Sequence, residues 1–382
     1  MLQKVLSILF ILSLSFLSGC YNRLDVEDTI YVSGHGFDFA DGSYVYSAQL
    51  ALSQSLKTSP STDPIPLVLS EKGEGLSIAA RRLMLSLPRQ PLWSLADIII
   101  ISENLARQDT GQFVDLLFRN PNFRINTMLF LAHGSTPEEI LKITLPSANL
   151  SASGLERVIS NQEAQAGMYL PVSTKEFIYR SAAAGIEPVI PQVAIKTAGE
   201  GQTITLQGLA VIKGQKMVGS LNEQESQGYR LLSPGINHGG LISVKDPNNS
   251  AGSTGGHGRL FLELSNILTT TKPVFKDNKP IITIKVTAEG NLFEEIPEEL
   301  QSSRNIPLLE KEAALVLKKD IEACIKKAKD LKSDILGWGL EISRYYPQEW
   351  QYLQENWNEQ FPLVEYELEL EYKLRHLYSL HN

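Results

Sequence analysis

Cysteine is scarce in this chain: two in 382 residues, Cys20 and Cys324. So few cannot supply a disulfide framework, and stability has to come from hydrophobic cores, which this length permits. Histidine is nearly as sparse. The six, at 35, 133, 238, 257, 376 and 381, contain no His-x-x-x-His pair, and no Cys-x-x-Cys exists, so the spacing of a metal site is missing. Positive charge is in deficit, with 35 Lys and Arg against 43 Asp and Glu, a net charge of −8. That balance argues against nucleic acid, whose binders concentrate basic residues on one face, and it shows no polybasic patch for anionic lipid. Beyond the N-terminus no apolar run reaches bilayer-spanning length.

The first twenty residues carry the most information. After Lys4 an apolar core, Val5 to Leu17, is broken only by serines, and Leu17-Ser18-Gly19-Cys20 follows. That core is too short for a permanent membrane helix and has the form of an export signal. Small residues at Ser18 and Gly19 open the backbone to a peptidase, with cleavage between Gly19 and Cys20. A cysteine directly after such a site is the one that bacterial lipoproteins modify with a diacylglyceryl group. An ordinary signal peptide with a chance cysteine, or an uncleaved anchor, are the competing readings. The position, the flanks and the polar Tyr21-Asn22-Arg23 favour lipidation at Cys20. Two acyl chains give stable anchoring where one does not. The protein is therefore expected on the outer face of a membrane, and without residues 1–19 its net charge moves from −8 to −9, since only Lys4 is lost.

A mature length of about 360 residues predicts two or three domains. Thr29 to Phe39, an Asp41-Gly42 turn and Tyr44 to Leu52 read as a hairpin. Residues 54–66 read as an exposed Ser/Thr/Pro loop. Leu76, Ala79, Ala80, Leu83 and Leu87 keep helical spacing up to Pro88, and Asp97 to Ile101 reads as a central strand. A helix over Phe113 to Phe118, a strand over Arg124 to Ala132, a helix capped by Thr136, and helices over Leu155–Ala166 and Thr174–Ala183 follow. Gly199-Glu200-Gly201 is the candidate boundary. Beyond it come a hairpin over Thr205–Leu221, a capping box at Asn222 and Glu225, and a long loop over Gly235–Gly258. A third hairpin spans Leu260–Ala288. A long amphipathic helix then carries Leu309, Ala313, Leu317, Ile321, Cys324, Ala328, Leu331 and Ile335 on one stripe, which makes Cys324 a buried inert thiol. A helix from Pro347 places Trp350, Leu353, Trp357 and Phe361 on one face, and Val364 to Arg375 alternates as a strand with one buried face. The fold class is α+β, or mixed α/β: several compact domains of mixed, largely antiparallel sheets with packed helices. The divisions are residues 1–19 (signal peptide), 20–28 (lipidated cysteine and tether), 29–200 (N-terminal α/β region, in two subdomains) and 205–378 (C-terminal domain).

No constellation of catalytic residues emerges, and no cofactor or metal is expected. The glycine-rich Gly252 to Gly258 lacks the Gly-Lys-Ser/Thr ending of a phosphate loop and reads as surface loop. No Gly-x-Ser-x-Gly elbow occurs. His35, between Gly34 and Gly36, is open to a general-base reading, but a satisfied histidine at a strand bend is favoured. The acidic run Glu289 to Glu299 lacks the order of a calcium loop. Trp338, Tyr345, Tyr346, Trp350 and Trp357 are open to two readings. Core packing of the last helices on the final strand is favoured; the alternative is an interface in which Trp338, Tyr345 and Trp350 meet a partner.

Cys20 to Asp28 followed by Val32-Ser33-Gly34-His35-Gly36-Phe37-Asp38 resembles the start of the spore germination Ger(x)C lipoproteins, the C subunits of nutrient-germinant receptors. Gly208 to Gly219 with Leu221 to Ser226, and Asp334-Ile335-Leu336-Gly337-Trp338-Gly339 with Pro347, Trp350 and Trp357, resemble the opening and closing of their C-terminal domain. Tyr21 stands where that family commonly has tryptophan. The resemblance implies three compact α/β domains without an enzymatic site. It also implies attachment through Cys20 to membrane lipid on the outer face of the spore inner membrane, and partnership with integral-membrane A and B subunits. A solute-binding lipoprotein of a transporter is the alternative, but it would show βαβ units around a two-lobed cleft. A cell-envelope hydrolase would need a nucleophile–base pair, which is not found.

Overall fold

The computed structural model describes residue 3 and residues 25–51, 67–145, 148, 150–199, 201–235, 240–245, 259–277, 279–292 and 305–377. Gly19, Cys20 and the 54–66 segment lie outside the described residues. The first hairpin joins β1 (Thr29–Ala40) to β2 (Ser43–Ala51) through Asp41 and Gly42. Both have positive φ, 52° and 74°, the left-handed pair that a two-residue turn requires. β3 (Leu67–Gly73), which the sequence pattern does not mark, pairs antiparallel with β2. Helix α1 (Leu76–Leu83) buries Leu76, Ala79 and Leu83 and gives way to a single 3-10 turn before Pro88. β4 (Gln90–Leu92) and β5 (Ile98–Ser102) both run parallel to β1, and Ile98 to Ile101 are wholly buried.

Helices α2 (Glu103–Gln108) and α3 (Gly111–Arg119) lead to β6 (Met128–Ala132), parallel to β5. The strand expected from Arg124 thus begins only at Met128, because Thr127 N–H donates to the Arg124 carbonyl and closes a turn. α4 (Pro137–Lys142) has its full capping box: Thr136 Oγ1 accepts from the Glu139 amide while the Glu139 carboxylate accepts from the Thr136 amide. α5 (Ser151–Gln165) and α6 (Thr174–Ala182) precede β7 (Val189–Ala198), β8 (Gly201–Lys213) and β9 (Lys216–Leu221). The sheet order is β3-β2-β1-β5-β6-β7-β8-β9, with β4 beside β1. At the candidate boundary Glu200 lies outside the described residues, but Ala198 of β7 pairs with Gly201 of β8, so one sheet holds both sides of it.

The Gly34-His35-Gly36-Phe37 run is explained by the two faces of β1. A Cβ on Gly34 would stand 3.0 Å from Ala152 Cβ, and one on Gly36 would stand 2.9 Å from Pro137 Cβ, so helices α4 and α5 lie directly on the strand. His35 and Phe37 point the other way, into Tyr46, Trp93, Phe113 and Phe123. Beneath the helices Gln49, fully buried, donates from Nε2 to the Leu141 carbonyl (2.6 Å) and Ser151 Oγ (2.8 Å). Its Oε1 accepts from Ser33 Oγ and the Ala152 amide. No atom of that amide is left without a partner, as burial demands.

Helix α7 (Glu223–Leu232) opens with the Asn222–Glu225 capping box. β10 (Leu241–Lys245) lies inside the stretch expected to be loop; its five residues pair with β11 (Arg259–Lys276). β12 (Lys279–Leu292) completes the third hairpin, and α8 (Ile306–Asp330) is the long helix. Leu331 and Ile335 lie past its end. Where α7 crosses α8, a Cβ on Gly228 would fall 2.0 Å from the Asp320 carbonyl oxygen, so only glycine allows the approach. Cys324 sits at this crossing, fully buried, with its thiol pKa pushed up by burial. The single helix expected from Pro347 is broken. α9 (Trp338–Tyr345) precedes it, and α10 (Pro347–Leu353), a 3-10 turn and α11 (Trp357–Gln360) replace it. β13 (Glu365–Leu377) returns parallel to β12, giving a second sheet β10-β11-β12-β13 against which α8 packs. The molecule is α+β, with antiparallel pairs at the flanks of the large sheet and parallel ones at its centre.

Candidate functional site: the junction at Asp334

The two sheets meet around Ser333 and Asp334, both buried. Ser333 Oγ donates to the Ile212 carbonyl of β8 (2.9 Å), and the Asp334 carbonyl accepts from the Glu187 amide (2.9 Å). The Asp334 carboxylate holds the C-terminal helices together. Oδ1 accepts from the Trp338 amide (3.1 Å), and Oδ2 accepts from the Gly339 amide (2.8 Å) and Trp357 Nε1 (2.9 Å). Burial pushes its pKa up to about 6 against these hydrogen bonds, which pull it down. Arg180 of α6, paired with Glu176 (2.9 Å), reaches the Ile335 carbonyl at 3.3 Å.

Two glycines let the chains touch. Gly185 accepts through its carbonyl from the Leu340 amide (2.8 Å), and a Cβ on it would stand 2.5 Å from the Gly339 carbonyl carbon. A Cβ on Gly339 would stand 2.7 Å from Gly185 Cα and equally close to the Trp350 and Trp357 rings. Gly337, at φ 72°, turns the backbone so that Trp338 enters the core. There it meets Phe361 (5.5 Å between ring centres) and Tyr366 (6.0 Å), with the Lys329 ammonium 5.6 Å from its own ring centre. Trp350 packs edge-on against Trp357 at 5.2 Å. Of the three aromatics considered as an interface, Trp338 is 1% and Trp350 7% exposed, and only Tyr345, at 56%, offers area to a partner.

Beside this junction opens a cleft of about 690 Å³ lined by Glu187, Lys213, Lys216, Gln354 and Asn358 among others. Burial raises the Glu187 pKa to about 7 while its carboxylate accepts from the Gly214 amide (3.2 Å). The two carboxylates have raised pKa values, yet Asp334 is committed to three donors and Glu187 to a turn. Their arrangement joins two halves of a protein. His35 is satisfied in the same sense. Its Nε2 donates to the Trp93 carbonyl (3.0 Å), which leaves Nδ1 to accept from the Tyr46 hydroxyl (2.7 Å), and burial lowers its pKa to about 4. A neutral, doubly bonded imidazole has no lone pair free for a substrate. Among the described residues no group of three or more His, Cys, Asp or Glu is placed to hold a metal. Among them, too, no helix is long and apolar enough to cross a membrane. The roles of Gly185, Glu187 and Asp334 were not read from sequence; an aspartate three residues before Gly-Trp-Gly was the available signal.

These features define a two-sheet α+β protein built around an internal junction. Residues 22–195 match the family described as spore germination protein N-terminal domain, and residues 207–378 match spore germination B3/GerAC like, C-terminal. The chain belongs to this spore germination family. Spore germination protein KC of Bacillus subtilis (strain 168) is 26% identical to it, over 94% of this chain and 91% of that one. Spore germination protein B3 of the same organism is 24% identical over 96% of each. The crystal structure of the GerBC protein aligns with a TM-score of 0.58 at 19% identity, covering 90% of this chain and 97% of that chain, and shows the shared fold.

Proposed function

We propose that this chain is the lipid-anchored, non-enzymatic subunit of a spore nutrient-germinant receptor. It is held by a diacylglyceryl group on Cys20 at the outer face of the spore inner membrane and acts with integral-membrane A and B subunits. The observation that carries this reading is the family match across both halves of the chain, joined to the Leu17-Ser18-Gly19-Cys20 motif. The non-enzymatic part is supported by the state of the candidate nucleophile and base: Cys324 is buried with a raised pKa, and both nitrogens of His35 are bonded.

The test is a Cys20→Ala exchange in spores that depend on this chain. Fatty-acid label and membrane recovery should be lost together with the nutrient response. Equal label in parent and variant would reject the anchor. A purified chain that captures a nutrient without any membrane subunit would favour a solute-binding lipoprotein instead.

A further inference from the structure

Three helices on one face of the large sheet leave a groove between them. Phe113 of α3 packs on Phe37 of β1 (5.4 Å between ring centres) and Phe177 of α6 packs on Phe113 (6.2 Å), so α3 and α6 lie on the side to which His35 points. Depressions of about 450 and 820 Å³ each take walls from α1 and α3, and they share Ser77, Asp115 and Leu116. They are therefore two ends of one groove, with Ile178 and Ala182 of α6 along the larger end. Apolar side chains in its lining stay exposed: Phe118 is 78%, Met84 47% and Ile78 44%. Isolated exposed apolar side chains are ordinary; three around one concave place mark a contact surface.

The charges of the lining are uneven once their bonds are counted. Asp115 pairs with Arg119 (2.5 Å) and Asp109 accepts from the Gly111 amide (2.7 Å), so both acids of the groove are taken. Arg81, which lines the smaller end beside Met84, makes no hydrogen bond or ion pair among the described residues. Segments 76–96 and 116–127, which supply α1, the end of α3 and the turns after them, hold five arginines and no acidic residue, in a chain of net charge −8. The surface thus asks for an acidic occupant. Its shape selects which kind. A bilayer takes up apolar groups that protrude, whereas this site is concave, and its interleaved Gln112 and Asn120 would lose water to acyl chains without gaining a partner. A helix of another protein fills a groove between helices with apolar side chains at i, i+3 or i+4, and i+7, and brings polar groups alongside them.

We propose that this groove seats an amphipathic helix of a partner subunit, its apolar stripe lying on Ile78 and Phe118 and a flanking Asp or Glu meeting Arg81. The inference rests on the receptor reading proposed above, and its test separates the two. Ile78, Phe118 and, on β11 of the second sheet, the 61% exposed Leu268 are replaced singly by the photo-cross-linker p-benzoylphenylalanine in the full chain, made in spores together with the A and B subunits. After illumination the complex is purified and the joined peptides are sequenced by mass spectrometry. Positions 78 and 118 should join one segment of A or B that carries acids beside apolar residues, several-fold more than position 268 does. Arg81→Glu should lower that yield several-fold and Arg81→Lys should keep most of it, with the melting point of the purified chain unchanged in both. An unchanged yield in Arg81→Glu would overturn the acidic partner. Cross-links to lipid or to a second copy of this chain, or an equal yield from 268, would overturn the assignment to a partner helix. Co-purification with A and B but no cross-link from 78 or 118 would overturn the groove and leave the receptor reading standing. A parent chain that does not co-purify with A or B would overturn that reading, and the groove with it.

Discussion

The two sheets bury their strands by different rules. In the large sheet β5 lies between β1 and β6, and all four isoleucines of Ile98 to Ile101 are fully buried. Helices α4 and α5 close one face of neighbouring β1, and Phe113 of α3 closes the other. In the second sheet one face carries α8, while the other remains in water. Along β13 Glu365, Glu367, Glu369 and Glu371 are exposed, and Lys276 and Lys285 pair with Glu367 (3.2 Å) and Glu369 (2.7 Å) on that outer face. A strand covered on both faces needs a continuous apolar run, whereas a strand covered on one needs alternation. The first kind tolerates no polar side chain without a partner, which is why Gln49 is bonded at both ends. The second kind exposes an edge, and its row of acids keeps that edge from recruiting another chain.

Core truncations in each sheet should give the largest effects. Trp338→Ala removes the largest fully buried side chain and is expected to cost roughly 3–5 kcal/mol; Ile100→Ala should cost roughly 2–5 kcal/mol. Because the Asp334 junction ties the sheets, both variants should unfold in one shifted transition in chemical denaturation. Two separated transitions in the parent protein would break the comparison by making the halves independent.

pH should distinguish the halves next. His35 has a folded pKa near 4 against an ordinary 6.5, so the unfolded chain binds more protons between those values, and stability is lost as pH falls from 6.5 toward 4. Asp334 has a folded pKa near 6 against 3.8, so the folded chain binds more protons there, and stability is lost as pH rises through that window. Each contribution is on the order of 3 kcal/mol and they oppose one another. His35→Gln should therefore make the protein lose stability more steeply as pH rises from 4 to 6, in melts taken across that range. A profile identical to the parent's would remove His35 from the account.

The smallest effects compare the two capping boxes. Thr136→Ala in the first half and Asn222→Ala in the second should each cost about 1 kcal/mol, read as a shift in denaturation midpoint. A shift much above that at Asn222 would mean that α7 also helps to seat α8.

Local patterns proved most legible where one short segment contained the whole signal. The Asp41-Gly42 turn, the isoleucine run, the Thr136 cap and the Asn222–Glu225 capping box involve residues no more than a few positions apart and stand where the sequence places them; the return bond from Glu139 that completes a box at Thr136 is the addition of the structure. Length misled where periodicity outlasted the element. The stripe of α8 continues to Leu331 and Ile335, but the helix stops at Asp330, since Lys332 takes a left-handed φ of 50° and the Ser333 amide donates back to the Ala328 carbonyl. Trp350 and Trp357 keep helical spacing across a 3-10 break because packing sets their rings: Trp357 Nε1 donates to the Asp334 carboxylate, and Trp350 lies edge-on against Trp357. β3 and β10 were missed because seven and five residues carry too little alternation to separate strand from loop. The Gly34–Gly36 pair was noticed, yet its cause, two helices resting on the strand, lies more than a hundred residues away in sequence.

By itself, then, the sequence determined the α+β class, the central strand, the caps and the family, because each follows from neighbouring side chains or from a continuous motif. It also contains the Cys20 motif on which the proposed anchor rests. Tertiary structure alone decided that Gly185 meets Gly339 and that Asp334 binds two helices into one body. Contacts of this kind depend on the distance between chain segments that only the closed fold brings together, and a linear pattern holds no measure of that distance.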